Sequence, residues 1–197
     1  MRLDPLRALR RFLGDEGGSV TVEAVLIFPI LCWAYLGTFV FFDDFRAQSI
    51  NVKAAYTIGD ILSRQTDYVT PEFLDSTFAL QDMLTATDET TRMRVTAFKY
   101  VSSSNQLDMR WSKVRGGGVP ELTDATIQTL RTSIPQLDNG EVAILTETWM
   151  DYTPPMDVGV DPLTFRELVV TRPRYSLNNR FCYNSMNDGG GVATETC

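Results

Sequence analysis

The chain has 197 residues, a net charge of −7 at pH 7 and no histidine. The acidic balance excludes nucleic-acid binding through a basic surface, and the absence of histidine excludes a Ser-His-Asp or Cys-His nucleophile system and a histidine-ligated metal site within this chain alone. The length suits one folded domain plus an anchoring segment.

An uncharged, apolar run extends from Ala24 to Phe42. As an α-helix it is about 28 Å long, which matches the hydrocarbon core of a bilayer. The apolar region of a secretory signal is shorter, and Asp43 and Asp44 follow this run where such a signal carries small residues. A buried core helix is the other alternative, but this run is apolar on every face. We therefore predict a transmembrane helix over residues 19–43.

The charges that flank this helix predict its orientation. Cytoplasmic flanks of membrane helices carry an excess of arginine and lysine. We therefore expect residues 1–18 in the cytoplasm and an extracytoplasmic domain over residues 44–197, as in a single-pass protein of the inner membrane whose domain is periplasmic. The arginines that precede the helix are Arg2, Arg7, Arg10 and Arg11.

Glu23 stands at the start of the helix, five residues after Gly18. The plain interpretation is an acid placed near a helix N-terminus, which the macrodipole favours, behind a retained basic tail that sets topology. A second interpretation uses Gly17-Gly18, which breaks any helix and leaves an extended peptide accessible to a protease. A cut between Gly18 and Ser19 gives Ser19 a new N-terminal amine and makes Glu23 the fifth residue. The amine and the carboxylate then neutralise each other, within one chain or between neighbouring subunits.

The stretch from Gly18 to Glu23, followed by an apolar helix, resembles the type III signal of type IV pilins and pseudopilins. With its continuation to Leu31 it is most similar to the TadE/TadF-like proteins of the tight-adherence (Flp, type IVc) pilus system. A weaker similarity is the Arg-Pro-Arg run that ends at Arg174. Ala24 stands where major pilins usually carry tyrosine, and this chain is far longer, so the resemblance implies a minor pilin or pseudopilin.

The resemblance also implies partners and a process. A prepilin peptidase is expected to cut after Gly18 on the cytoplasmic side, which removes residues 1–18 as a leader. Ser19 and Glu23 are then expected to serve assembly. The partners implied are the peptidase, other pilins, the inner-membrane assembly machinery of the tight-adherence system and membrane lipid, with a final place at the cell surface within a pilus that serves adhesion.

Pro29 removes one backbone hydrogen bond inside the membrane helix and predicts a kink. In a filament, neighbouring helices accommodate such a kink, whereas in an isolated anchor it is a tolerated proline; the sequence leaves both open. Apolar residues at spacings of three and four continue the helix beyond the membrane, so one long helix is predicted from about Val20 to Ser63, with Gly59 as its weak point. These apolar residues are Ala47, Ile50, Ala54, Ala55, Ile58, Ile61 and Leu62.

The rest of the chain predicts a second helix from Pro71 to about Leu84, capped by Thr70, with a buried stripe of Phe73, Leu74, Phe78 and Leu84. The fold class predicted is α+β: a long N-terminal helix that continues into a small antiparallel-sheet domain, as in pilins. Alternation and turn residues predict four strands and a short helix. The strands are Thr91–Val101, Leu107–Trp111 (paired with the first as a hairpin), Glu141–Tyr152 and Phe165–Thr171, and the short helix is Glu121–Leu130.

Three cysteines occur, and Cys32 lies in the membrane run as a small apolar residue. A disulfide between Cys182 and Cys197 is favoured over two free thiols because both lie on the oxidising side. The loop between them is a candidate contact surface. Asn187-Asp188-Gly189 within it offers oxygens to Ca²⁺ but lacks the alternating acids of an EF-hand, so we expect no metal or cofactor.

Three classes of function fit the sequence. The first is an interaction protein, a minor pilin that acts in pilus assembly or adhesion. The alternative is a single-pass anchored domain that binds a ligand or senses the envelope, and this alternative retains residues 1–18. An envelope enzyme that uses paired carboxylates ranks last, and we do not expect an enzyme.

Overall fold

The structure is a computed structural model that describes residues 19–175, 181–185 and 195–197. A long apolar helix precedes a small antiparallel sheet, which confirms the α+β layout. The elements are α1 (Ser19–Ser63), α2 (Pro71–Thr85), β1 (Thr91–Val101), β2 (Gln106–Arg115), α3 (Asp124–Ile127) followed by a 3₁₀ turn (Gln128–Leu130), β3 (Val142–Tyr152), β4 (Leu163–Thr171), β5 (Tyr183–Asn184) and β6 (Glu195–Thr196).

Helix α1 runs unbroken for 45 residues with Pro29 inside it, as the spacing of apolar residues predicts. At 1.5 Å per residue it is about 68 Å long. Its second half packs against β3 and β4, and Ala54, Ile58 and Leu62 are buried there. A β-carbon on Gly59 would lie only 3.1 Å from Cγ2 of Thr171. The predicted weak point of the helix thus lies where α1 packs closely on β4.

The four long strands form one antiparallel sheet in the order β2-β1-β3-β4. Helices α1 and α2 cover one face, where Val95 and Ile144 belong to the core. The connection between β2 and β3, which contains α3, covers part of the other face and packs on Phe98 and Leu145. Both faces of the central strands β1 and β3 are therefore largely buried, including polar residues such as Arg94, Thr96 and Glu147.

The hairpin β1–β2 is confirmed, but its predicted single buried face is wrong. A β-bulge shifts the register so that Ala97 pairs with Trp111 while Phe98 pairs with Met109. The extra residue moves the side chains to opposite faces on either side of it. Leu107 and Met109 therefore pack in the core under α3, whereas Trp111 packs in the core under the helices.

Helix α2 is confirmed, and its cap is present because the backbone N–H of Phe73 donates to Oγ1 of Thr70 at 3.3 Å. The predicted buried stripe is wrong at Leu84, which is 37% exposed. Gln81 and Thr85 are buried instead, because the side-chain amide of Gln81 donates to the backbone carbonyl of Arg92 on β1.

The short helix predicted over Glu121–Leu130 is smaller in the structure. Its α-helical part is α3 alone, because Thr123 caps the helix at a later residue than predicted and the chain tightens into the 3₁₀ turn after Ile127. Strands β5 and β6, which pair with each other, were not predicted.

Candidate functional site

The first half of α1 is a bare apolar surface. By length and composition α1 is able to cross a membrane, and a signal sequence near the N-terminus satisfies the same criterion. A core helix of a soluble protein satisfies it too, but such a helix is mostly buried, whereas the most apolar stretch of α1 is almost wholly exposed. Val20, Phe28 and Tyr35, for example, each expose more than two thirds of their surface.

The predicted processing and assembly residues lie at the start of this helix. Gly18 falls outside the described residues, and α1 begins at Ser19. Glu23 is the fifth residue of α1 and is exposed, and it forms no ion pair with any residue in the described part of the chain. Pro29 follows within the same helix. The helix therefore presents one carboxylate, without a partner in the described structure, on an otherwise apolar surface.

Two polar contacts fix how the sheet sits on α1. Just beyond the apolar run, the phenol of Tyr152 donates to Oδ2 of Asp43 at 2.9 Å. Two turns further on, the hydroxyl of Thr148 donates to the buried side-chain oxygen of Asn51 at 3.2 Å. Both partners lie on β3, Tyr152 at its last residue and Thr148 four residues earlier, so the two bonds hold α1 against rotation relative to the sheet. The sheet thereby fixes which face of the apolar helix is turned toward it.

Burial raises the pKa of Tyr152 to about 12, and the hydrogen bond to Asp43 and the charges of Asp43 and Asp44 act in the same direction. The phenol thus stays protonated as a donor throughout the physiological range. Oδ1 of Asp44 is buried and has no hydrogen-bond partner within the described residues. The boundary between the apolar half of α1 and the sheet is therefore marked by two carboxylates.

An apolar groove of about 420 Å³ lies beside this boundary. One wall is α1, from Trp33 to Phe45, and the other is the β3–β4 loop (residues 153–162), which contributes Val158 and Val160. Gly37 forms part of the helix wall, and nothing lies within 4 Å of the position that its β-carbon would occupy. The groove is open beside Gly37, because glycine has no side chain to fill it.

The structure joins Cys182 and Cys197 by a disulfide, and it shows Cys32 as an exposed free cysteine. The bridge holds the C-terminal strap, which we define as residues 181–185 and 195–197. In the strap the backbone N–H of Asn184 donates to the carbonyl of Val69 at 3.0 Å, and the N–H of Val69 donates to the carbonyl of Cys182 at 2.9 Å. The strap is therefore bonded to the connection between α1 and α2.

Trp111 fastens the strap to the sheet. Its indole N–H donates to the backbone carbonyl of Phe181 at 2.8 Å, and its ring stacks on Phe181 with centroids 5.5 Å apart. Tyr183 packs against the same indole at 5.6 Å. Asn187-Asp188-Gly189, the candidate Ca²⁺ ligands, lie outside the described residues. The role of the stapled loop as a contact surface stays a prediction.

Sequence reasoning missed a charged cluster on the sheet face away from α1. Glu147 is 0% exposed, and its carboxylate forms ion pairs of 2.6 Å with both Arg94 and Arg166. The ring of Trp149 lies between the two guanidinium groups, 5.2 and 5.6 Å from its centroid. The cluster joins β1, β3 and β4 and leaves neither oxygen of Glu147 unpaired. The signal that could have revealed it is the presence of two charged residues, Arg94 and Glu147, in the interior of predicted strands.

Within residues 19–175, 181–185 and 195–197, no group of three or more histidine, cysteine, aspartate or glutamate side chains is placed to hold a metal ion. Burial raises the pKa of Glu167 on β4 above its ordinary value.

Comparison with models of known protein families, with curated proteins and with solved structures finds no match to this chain.

Proposed function

We propose that this chain is a minor pilin or pseudopilin of a tight-adherence type IV pilus, processed after Gly18 and anchored by α1 with its sheet domain outside the cytoplasm. The observation that carries the proposal is the two-part character of α1. One continuous helix begins at Ser19, exposes an apolar half long enough for a membrane, and packs its other half on a small sheet.

Glu23 supplies the chemistry of assembly in this proposal. Hydrolysis of the Gly18–Ser19 peptide bond by a prepilin peptidase adds one water, leaving a carboxylate on Gly18 and an ammonium group on Ser19. Ser19 and Glu23 are four residues apart, about one helical turn, so the pair can form within one chain or between neighbours. A carboxylate in the membrane is costly without a partner, and Glu23 has none among the described residues. We expect the partner to be the amine of a neighbouring subunit.

The proposal places the protein in the inner membrane and, after assembly, within a pilus. Its partners are the prepilin peptidase, other pilins, the inner-membrane assembly machinery and membrane lipid. The sheet domain, which α1 holds in a fixed orientation, carries specificity toward a surface or another subunit.

Processing is tested by the intact mass and the N-terminal residue of the protein from its native membrane. We expect a chain that begins at Ser19 and lacks the mass of residues 1–18. A chain that still begins at residue 1 or 2, in cells with active prepilin peptidase, would refute the processing step.

Assembly is tested with Glu23→Ala and Glu23→Gln. Both remove the charge, and Glu23→Gln keeps the size of the side chain. We expect both variants to insert in the membrane as the wild type does, but to be absent from sheared pili. Incorporation of Glu23→Gln at the wild-type level would show that the carboxylate has no role in assembly.

The second candidate is a single-pass anchored domain that binds a ligand or senses the envelope. The observation that favours it is the C-terminal strap, which the disulfide and the contacts with Trp111 hold against the sheet domain. This candidate predicts that residues 1–18 stay attached and that Glu23→Ala leaves function unchanged, so the two experiments above separate it from the first.

A further inference from the structure

We propose that the β3–β4 loop is a movable cover for α1, which lifts off the helix while that part of α1 lies in hydrocarbon and closes on it when the helix moves outward. This inference rests on the membrane placement of α1 in the proposed function. It goes beyond that function because it gives the loop two positions, and the position of the bilayer boundary along α1 selects between them.

The loop covers α1 within the apolar run. Val40 is 0% exposed, so protein encloses its side chain completely. Strand β3 ends at Tyr152, whose phenol is bonded to Asp43, three residues after Val40. Beyond that level the protein beside α1 is the loop, whose Val158 and Val160 line one groove with helix residues on both sides of Val40. The loop therefore packs on α1 on the membrane side of Asp43.

This closed position is incompatible with hydrocarbon. If the bilayer ends at Asp43, where the apolar run ends, Val40 lies about 4–5 Å and Gly37 about 9 Å below the boundary. An irregular loop at that depth would leave its backbone N–H and C=O groups without partners. The loop also carries the exposed Asp157 and Asp161, and a carboxylate is disfavoured about a hundredfold at the bilayer centre and less near the boundary.

Only apolar contact holds the loop closed. Among the described residues, no hydrogen bond or ion pair joins the loop to α1. In water, closure is favoured because it withdraws Val40, Val158 and Val160 from the solvent. In hydrocarbon, lipid tails cover the same side chains equally well and this advantage disappears. The turn within the loop, where the N–H of Gly159 donates to Oδ1 of Asp157 at 3.3 Å, stays intact in either position.

An outward shift of the whole helix is the alternative to lifting the loop, and Glu23 opposes it. From Asp43, a hydrocarbon core of about 30 Å extends about 20 residues inward, to Glu23. Moving α1 outward until Gly37 reached the boundary would carry Glu23 about 9 Å into the hydrocarbon. In the proposed assembly, the amine of a neighbouring subunit pairs with Glu23 and removes this obstacle. Helix α1 then moves outward and the loop closes on it.

Fluorescence of a bimane label tests the two positions. The label is attached to Val160→Cys in a Cys32→Ser background, and Trp33, which lines the same groove, quenches bimane at short range when the loop is closed. The full-length protein is placed in phosphatidylcholine bilayers with dimyristoleoyl, dioleoyl or dierucoyl chains, in order of increasing thickness. Each thinning of about 1.5 Å uncovers one residue of α1. The labelled chain with Trp33→Phe gives the unquenched signal in each bilayer.

We expect the fraction quenched by Trp33 to fall about tenfold from the thinnest to the thickest bilayer, because closure in the thick bilayer brings two carboxylates into hydrocarbon. Asp157→Asn/Asp161→Asn removes both charges and keeps a side-chain oxygen for Gly159, and it should reduce this fall to about threefold. Asp138→Asn is the matched control, because Asp138 is an exposed aspartate in the connection that leads to the other end of β3, and it should keep the full fall.

Equal quenching in the thinnest and thickest bilayers would overturn the movable loop and leave the membrane anchor and the proposed function intact. A double asparagine variant with the same dependence on thickness as the wild type would also overturn the proposal, because the aspartates would then have no part in lifting the loop. Protein that does not float with the vesicles would refute the anchor, and with it both the proposed function and this inference.

Discussion

Removing the disulfide should destabilise the sheet domain by an amount that the structure allows us to estimate. Fifteen residues separate Cys182 from Cys197, and closing a loop of that length contributes about 3 kcal/mol in the chain-entropy model. We expect Cys182→Ser/Cys197→Ser to lower Tm by about 6–12 °C, since 1 kcal/mol corresponds to about 2–4 °C in a chain of this size. The loss arises because the strap that covers Trp111 and pairs with Val69 gains freedom mainly in the unfolded chain.

The assay is thermal unfolding of the full chain in detergent micelles, followed by near-ultraviolet circular dichroism, which is sensitive to the stacking of Trp111 on Phe181. Cys32→Ser is the matched control, because Cys32 is an exposed free cysteine on the apolar half of α1 and its loss should leave Tm unchanged. Reduction of the wild type should reproduce the double variant. If the double variant melted within about 1 °C of the wild type while its Trp111 signal remained native, the strap would not be stabilised by the bridge and the estimate would be refuted.

Three further predictions concern backbone conformation and pH. Gly116→Ala should lower the free energy of unfolding, measured by chemical denaturation, by about 3 kcal/mol or more, because φ is +89° there and a β-carbon would overlap the carbonyl oxygen of Thr91. Gly117→Ala, with φ of +68° and open space, should lower it by only about 1 kcal/mol. Equal losses in the two variants would refute the steric argument. The pKa of Tyr152 is raised from 10.0 to about 12 in the folded chain, so its contribution to stability is complete below pH 10 and declines as pH rises toward 12. Tyr152→Phe should lack this decline in urea titrations at pH 9 and pH 11.5. Burial raises the pKa of Glu167, so its ionisation opposes folding at neutral pH. Glu167→Gln should therefore raise the urea midpoint at pH 7 and lose that advantage below pH 4.5. A lower midpoint of this variant at pH 7 would contradict the raised pKa.

The parts of the fold that were predicted correctly depend on local pattern. Helix α1 repeats apolar residues at helical spacing, and Thr70 and Pro71 mark the start of α2 with the cap and first residue that helices favour. Strands β1 and β3 each contain four β-branched residues, which favour strand structure. Each of these signals involves residues that are close together in the chain, so a single sequence is enough to recognise it.

The errors arise where distant segments decide the outcome. The bulge that sends Trp111 and Met109 to opposite faces depends on the register between β1 and β2, which alternation within β2 does not reveal. Leu84 is exposed because Gln81 takes the inward position through a hydrogen bond to β1. The burial of Glu147 likewise depends on arginines 53 residues before it and 19 residues after it. Local pattern contains no information on such partners.

The orientation of α1 on the sheet has a consequence for the proposed assembly. At 3.6 residues per turn, Glu23 lies about 100° around the helix from Val40, which is fully buried at the junction with the sheet. The carboxylate therefore faces a side of α1 that the sheet leaves free. Glu23 and Phe41 are eighteen residues, or five whole turns, apart and so share one face. A neighbouring helix that pairs with Glu23 and follows this face would reach Phe41 in the groove wall. Under the proposed function, such a neighbour would cover this face of α1 from Glu23 to Phe41.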